Sequence, residues 1–235
     1  MRVLLSLLLI FLTFSTRANE ISDKQFYLKV GAGGNVIYDM KGRLPETERH
    51  PIVKSDYKIR NTYQGAVGYY FNDKIRSEIS LDYHGINCKH YVTDNPSFSF
   101  SDDGIEKSNI KGSILSIMLN NYYTLYTYKN SSIFVGATIG LAQIKERLNN
   151  MILIKNYWNS LIMVDQRSYN AKNINFAYGL IFGGSYKVTD SAHIDVSYNW
   201  KNFGRTKFKP VKDGITPTKN RHKGHIVTLG LRFDI

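Results

Sequence analysis

Apolar and polar residues alternate strictly near the end of the chain, in residues 225–235. Such alternation predicts a β-strand, because successive side chains point to opposite faces of a pleated backbone. One face carries Val227, Leu229, Leu231, Phe233 and Ile235, and the other carries Thr228, Gly230, Arg232 and Asp234. The apolar face therefore needs an apolar medium, whereas the charged face needs a wet or internally paired one.

Seven earlier segments repeat this pattern, so the chain is predicted to contain eight strands. In the fourth segment the phase stays open, because Leu115, Ile117 and Leu119 compete with Ile114, Met118 and Tyr122 for the apolar face. The eight predicted strands are Phe26–Val36, Tyr57–Phe71, Ile75–His84, Lys111–Tyr126, Ser132–Ala142, Asn175–Tyr186, Ala192–Trp200 and His225–Ile235.

The connections between these segments alternate in length. Short turns are predicted at Asn72–Lys74, Thr127–Ser131 and Lys187–Ser191, and long loops at Ile37–Asp56, Gly85–Ile110, Gln143–Ile174 and Lys201–Gly224. An even number of strands joined in this way indicates an all-β fold, an eight-stranded antiparallel up-and-down transmembrane β-barrel. A soluble sandwich would bury the apolar faces instead, but a compact soluble domain rarely carries four such loops.

The first eighteen residues have the features of a secretory signal peptide. Arg2 precedes an apolar run from Val3 to Phe14, and a small residue, Ala18, ends the segment. That run is shorter than the roughly 20 apolar residues of a membrane-spanning helix. We therefore predict two parts, a signal peptide over residues 1–18 and an outer-membrane barrel domain over residues 19–235.

Composition agrees with an exported barrel. Aromatic residues make up 13% of a chain whose charged residues reach 21%, which suits an apolar belt with aromatic girdles and polar loops. Cys88 is the single cysteine, so no internal disulfide can form, and it is predicted to lie in a loop. The formal net charge is +12. Nucleic acid is nevertheless excluded as a partner, because the chain is exported.

Several passages of the chain resemble a known family. They are GAVGYYFNDKIRSEISLDYHG, SIMLNNYYTLY, SIFVGATIGLA, FAYGLIFGGSYKVTD and the terminal TLGLRFDI. In order and spacing they resemble the small eight-stranded outer-membrane proteins of the opacity and surface-antigen group, related in plan to OmpX and to the membrane anchor of OmpA. The resemblance implies a location in the bacterial outer membrane.

The end of the chain also resembles the assembly signal of such barrels, at Thr228, Gly230, Phe233 and Ile235. It departs from the usual signal by ending in Ile, where Phe is commoner. The predicted partners are the barrel assembly machinery, outer-membrane lipid and, as the resemblance implies, host proteins; the basic last loop adds lipopolysaccharide and sulfated glycans, whose anionic groups it would attract. It bears little on molecular role, because one fold supports many functions.

Ten charged or titratable side chains are predicted to face the barrel interior, where each charge needs a partner. They are Lys29, Lys58, Arg60, Arg76, Glu78, Asp82, His193, Asp195, Arg232 and Asp234. An eight-stranded barrel is just wide enough to be filled by side chains. A structural network is therefore favoured over a conducting path.

We predict neither catalysis nor a cofactor. His193, Asp195 and Ser197 share one face, but neighbours two residues apart on a strand lie about 6.6 Å from each other. A nucleophile and its base need about 3 Å. The six histidines show no metal-ligand spacing. The glycines near Gly33 lack the lysine and helix of a phosphate-binding loop.

Two loops are the candidate ligand-contact regions. The last loop is strongly basic, which would attract phosphates or sulfates, or would simply be a solvated loop. The third loop contains the apolar segment Met151–Val164, which could extend a hairpin, fold as a helix on the rim or contact a partner. The candidate contact residues are Tyr157, Trp158, Lys201, Arg205, Lys207, Lys209, Arg221 and Lys223.

Three functions remain open from the sequence. The first, which we favour, is a surface antigen or adhesin whose extracellular loops contact host or environmental ligands. The second is a narrow outer-membrane pore or a purely structural barrel. The third is a soluble exported barrel that carries lipid, which would require the apolar faces to point inward.

Overall fold

A computed structural model describes residues 25–40, 52–93, 104–155, 161–206 and 220–235. These residues form nine antiparallel strands, and the described connections between them are short. None of them belongs to a helix long and apolar enough to cross a membrane. The strands are β1 (Phe26–Met40), β2 (Ile52–Tyr57), β3 (Arg60–Tyr70), β4 (Ile75–Thr93), β5 (Gly104–Tyr128), β6 (Ser131–Lys155), β7 (Leu161–Lys187), β8 (Ala192–Thr206) and β9 (Asn220–Asp234).

Eight of the strands close into a ring. Each strand from β3 to β8 pairs with the next along the chain, and β1 pairs with both β3 and β9. The short strand β2 pairs with the loop-side part of β4. At the seam, Ile235 N donates to Phe26 O at 2.8 Å. The predicted up-and-down barrel is confirmed, with nine strands instead of eight.

The additional strand arises because the second predicted strand, Tyr57–Phe71, is divided. Tyr57 pairs with Cys88 on β4, whereas Thr62 pairs with His84, so residues 58–61 face only residues 85–87. One extra residue on one side of a ladder is a β-bulge, which bends the strand locally. β2 and β3 therefore occupy a single strand position in the barrel, which the bulge divides in two.

The two faces of the strands divide as the alternation predicts. On β9, Leu229 and Leu231 are exposed whereas Thr228 and Arg232 are buried. The open phase of the fourth predicted strand is also resolved. Leu115, Ile117 and Leu119 point outward, and Ile114, Met118 and Tyr122 point into the barrel. The exposed apolar surface rules out the lipid-carrying alternative, which needs the opposite arrangement.

The strands are longer than predicted and the loops correspondingly shorter. β5 and β6 have 25 residues each and β7 has 27, although about 9–11 residues suffice to cross a bilayer. The apolar third loop is largely this ladder, since Ile154 pairs with Ile162 and Lys155 with Leu161. The hairpin interpretation is therefore correct for the backbone of residues 151–155 and 161–164.

Cys88 corrects another loop prediction. It lies in β4, points into the barrel and is 2% exposed. The alternation of β4 simply continues past His84, where the predicted strand ended. The thiol therefore packs inside the barrel as a small apolar group.

An aromatic cluster marks the loop-side end of β1, β8 and β9. The rings of Tyr38 and His225 stack with centroids 5.3 Å apart, and Tyr198 Oη lies 2.6 Å from His225 Nδ1. Trp200 Nε1 donates to Tyr38 Oη at 3.4 Å. Amphipathic rings at this height suit a membrane interface. Two other aromatic residues lie inside the barrel: Tyr122 is buried in the lumen, and Tyr57 packs against the inward-facing core.

The outward face can be tested with one substitution. Leu229 lies in the apolar belt of β9 and is 58% exposed. We expect Leu229→Arg to lower the free energy of unfolding by roughly 2–4 kcal/mol, because it places a charge among lipid chains. Urea unfolding in phospholipid vesicles measures this, with Leu229→Met as the control. An unchanged free energy would mean that this face meets water.

Candidate functional sites in the lumen and at the loop-side rim

Five charged side chains meet in the lumen nearer the turn side, and we call them the ionic cluster: Lys29, Glu78, Arg76, Asp195 and Arg232. Asp195 is its centre, with Oδ2 3.3 Å from Arg232 Nη1, 3.7 Å from Arg76 Nη2 and 4.0 Å from Lys29 Nζ. All five are at most 6% exposed. Three cations around two carboxylates let each buried charge face an opposite one, as a low-dielectric interior requires.

Glu78 is held by neutral donors as well as by charge. Tyr122 Oη donates to it at 2.5 Å, Asn120 Nδ2 at 3.0 Å and Tyr27 Oη at 3.1 Å. Lys29 Nζ lies 3.5 Å from the same carboxylate. Tyr122 comes from the neighbouring strand β5, whereas Tyr27 comes from β1, which lies beyond β3 in the ring, so one carboxylate ties β1, β4 and β5 together across the interior.

A second level of the lumen contains one close ion pair. Lys201 Nζ lies 2.6 Å from Asp82 Oδ2, and the side chains are 3% and 1% exposed. Beside them, His84 hydrogen-bonds Thr62 Oγ1 and packs against the ring of Phe203. The pair joins β4 to β8, which are not hydrogen-bonded neighbours, and so spans the barrel interior.

Above the ion pair the lumen becomes apolar. The buried cluster there contains Ile37, Ile86, Cys88, Ile110, Ile114, Met118, Ala142, Ile144, Leu148, Ala177, Phe203 and Ile226. A bulge places Phe203 in it, and Gly204 has a φ of 88°, a conformation that favours glycine. Glu146 and His222 form one polar contact in this half of the barrel, 3.0 Å apart.

These three levels fill the described part of the lumen with packed or paired side chains as far as an open cavity at its turn-side mouth. The narrow-pore alternative therefore finds no support in the described interior. The predicted structural network is confirmed for Lys29, Arg76, Glu78, Asp82, Asp195 and Arg232. The prediction was wrong for Lys58 and Arg60, which are exposed beside the bulge. His193 and Asp234 are partly buried near the turn side and lie 2.9 Å apart.

His193, Asp195 and Ser197, the residue types of a catalytic triad, each contact a different partner. His193 Nε2 contacts Asp234, whereas Ser197 Oγ contacts Thr228 Oγ1 at 2.7 Å. Asp195 faces the ionic cluster. Within the described ranges, no group of three or more His, Cys, Asp or Glu side chains is placed to hold a metal ion.

The candidate contact residues fall into three groups. Arg205 is exposed on β8, and Arg221 and Lys223 are half-buried on β9, with Lys223 Nζ 5.7 Å from the Trp200 ring. Lys201 is not in a loop: it lies within β8 and binds Asp82, so it is unavailable to an external ligand. The remaining four, Tyr157, Trp158, Lys207 and Lys209, lie outside the described residues.

The four residues of the predicted assembly signal lie at the seam of the ring. Thr228 points inward to Ser197, and Phe233 and Ile235 are 45% and 62% exposed on the outer face. Gly230 is opposite Gly31, and a side chain there would press on Lys29 at 3.2 Å. Their role in assembly stays a prediction.

The closed ring with an outward apolar belt and an inward ionic cluster defines a class, the membrane-spanning β-barrels. A family model described as "Outer membrane protein beta-barrel domain" matches residues 4–233. The chain belongs to this family and is a protein of the bacterial outer membrane.

Relatives and one solved structure extend this assignment. The Rickettsia conorii protein named "Putative adhesin RC1281" is 29% identical, over 91% of this chain and 83% of its own length. "Putative adhesin RP828" of Rickettsia prowazekii is 26% identical, over 95% and 94%. The outer-membrane protease OmpT of Escherichia coli is 11% identical with a TM-score of 0.53, over 94% of this chain and all of the protease chain. That likeness shows the fold alone.

The buried pair between Lys201 and Asp82 provides a stability prediction. We expect Lys201→Met to lower the free energy of unfolding by roughly 3–5 kcal/mol, because Asp82 is left buried without its cation. The double variant Lys201→Met/Asp82→Leu should recover much of this loss. Urea titration of the refolded barrel measures both.

Lys187→Met is the matched control, because Lys187 is 43% exposed and its partner Asp190 is 97% exposed at 2.9 Å. An exposed pair contributes little, so this variant should unfold like the parent. Equal effects of Lys201→Met and Lys187→Met would contradict the structural role of the buried pair.

Proposed function

We propose that this protein is a surface adhesin, in which the barrel is the anchor and the loop-side rim contacts host molecules. The single observation that carries the proposal is the ladder of β5, β6 and β7, whose 25 to 27 residues far exceed a bilayer crossing. Its outward face changes from Leu115 and Ile117 to Lys111 and Asn109 toward the loop side. The extra length thus carries the loop-side ends of these strands above the membrane.

Charge at the rim supports an anionic ligand. Arg205 and Arg221 are directly opposite each other on β8 and β9, and Lys223 lies two residues from Arg221. Three basic side chains close together on adjacent strands attract an anionic group. Sulfated glycans or acidic host proteins carry such groups. The names of the two rickettsial relatives agree with an adhesive role.

The apolar segment supports a second type of contact. Tyr157 and Trp158 lie in sequence between Lys155, the last residue of β6, and Leu161, the first residue of β7. Aromatic residues often dominate protein–protein interfaces, because they bury a large area at low entropic cost. The tip of the longest hairpin is a suitable position for a host-protein contact.

The rim arginines can be tested on a sulfated glycan. We expect Arg205→Gln/Arg221→Gln to weaken binding to immobilised heparin about fivefold at low salt, with a smaller difference at high salt because salt screens exposed charges. Surface plasmon resonance of the purified barrel measures this. The control, Lys74→Gln/Lys129→Gln, removes two exposed charges at the turn side. If the control loses as much affinity, net charge alone explains the binding.

The aromatic tip can be tested on whole cells. We expect Tyr157→Ser/Trp158→Ser to reduce host-cell attachment of bacteria that display the protein, because the variant removes apolar contact area. Attachment is counted by microscopy at equal surface display, which an antibody against an added epitope verifies. Asn156→Ser/Asn159→Ser changes the same segment without removing aromatic surface, and should attach normally. Undiminished attachment of the aromatic variant would count against this part of the proposal.

A further inference from the structure

Six outward-facing side chains on β5, β6 and β7 form a second basic site, away from the rim. They stand in two rows in exact cross-strand register: Ser113, Lys145 and Lys172 in one, and Lys111, Arg147 and Asn170 in the other. All are exposed except Ser113, which is half-buried. They line one open groove, which we call the basic groove.

Without a bound ligand, the positive charges of the basic groove repel one another. Lys111 is directly opposite Arg147, and Lys145 is directly opposite Lys172. Two like-charge pairs side by side repel one another, and none of the six positions carries a carboxylate. Glu146 lies between the rows in sequence, but its side chain faces the lumen with 0% exposure, 3.0 Å from His222. The arrangement therefore favours an external anion.

The position of the groove relative to the apolar belt indicates which kind of anion it binds. The next outward row toward the membrane is Leu115, Gln143 and Ile174, and the row after it is Ile117, Leu141 and Phe176, with the last three 59–61% exposed. On the other side of the groove lies a neutral polar row, Asn109, Asn149 and Ser168. Consecutive rows are about 7 Å apart along a strand.

This succession of apolar, cationic and neutral polar rows matches the profile of a lipid leaflet. Acyl chains would contact the apolar rows, and headgroup phosphates would lie at the level of the cations. Arg147 is already oriented, because its Nε donates to Ser168 Oγ at 2.9 Å. A guanidinium held in this way can present its remaining nitrogens to a phosphate as a fork.

We propose that the basic groove binds the phosphates of lipid A, the lipid of the outer leaflet. The site uses the outer wall of the barrel, so it does not depend on the adhesive function of the rim. A lipid bound here neutralises the two opposed cation pairs and connects β5, β6 and β7 on their outer side. The ladder that projects above the membrane is thereby fixed at its base.

The test compares lipid occupancy by native mass spectrometry of the mature chain released from detergent. The variant is Lys145→Gln/Arg147→Gln/Lys172→Gln, and the matched control is Lys74→Gln/Lys129→Gln/Lys187→Gln, which removes three cations at the turn side. We expect occupancy by bisphosphorylated lipid A to fall about tenfold in the variant and to stay unchanged in the control. Lys145→Arg/Lys172→Arg should retain binding.

Three further probes identify the ligand. Dephosphorylated lipid A should bind the parent and the variant equally weakly. Equal occupancy by phosphatidylglycerol would mean a general anionic-lipid surface, and displacement of lipid A by millimolar inorganic phosphate would mean a free-anion site. Either result would overturn the proposal, as would unchanged lipid A occupancy in the variant.

Folding of each variant is checked by its heat-dependent shift on gel electrophoresis. If the triple variant does not fold, the parent protein alone still decides the question. Bisphosphorylated lipid A should then raise its unfolding temperature more than dephosphorylated lipid A does. Equal unfolding temperatures with the two lipids would refute the assignment.

Discussion

The structure depends on the satisfaction of every backbone polar group inside the membrane. A hydrocarbon medium offers no hydrogen bonds, so a sheet that crosses it must have no free edge. The pairing of β1 with β9 removes the last edge, with fourteen residues of β1 in register from Tyr27 to Met40. Because the ring is closed, one face of every strand must meet lipid and the other must share a narrow interior. The belt and the ionic cluster are both results of that closure.

The interior changes character along the barrel. Charges and tyrosines fill the turn-side part, one ion pair occupies the middle, and an apolar cluster fills the loop-side part. The outer wall changes in the opposite sense, from apolar rows to the basic groove. The loop-side half therefore resembles a water-soluble barrel, with polar residues outside and apolar residues inside, on top of a membrane-spanning half with the reverse arrangement. A chain that reverses its pattern in this way can project stably beyond a bilayer.

Much of this arrangement follows from the sequence, and the exceptions have physical reasons. The alternation of residues 225–235 predicted both faces of β9 correctly, because lipid and lumen impose opposite requirements at every residue. It could not define where the strands end, because polar outward residues above the membrane look like loop residues. Lys201 has the same parity as His193, Asp195 and Asn199, and this signal could have placed it in the lumen. Ile86 and Cys88 follow His84 at two-residue spacing, and this continued alternation is a similar signal for the apolar core on the loop side.

Other features could not be predicted from the sequence, because they depend on how distant strands pair. The divided second strand results from a bulge opposite residues 85–87, which no local pattern announces. The phase of β5 was ambiguous because Tyr122 and Met118 are apolar residues that face inward, where Tyr122 binds Glu78. The basic groove appears only when Lys111, Lys145 and Lys172 are brought into register from three strands. Sequence spacing alone keeps them far apart.

The seam between β1 and β9 has a consequence for biogenesis. Tyr27 pairs with Asp234, so the contact that completes the cylinder joins residues from nearly opposite ends of the polypeptide. Such a non-local contact forms late, and two unsatisfied edges persist until it does. Unpaired strand edges of this kind are templates for pairing with other chains, so closure of the seam protects the sheet from aggregation. Residues far apart in sequence must therefore meet before the sheet loses its last exposed edges.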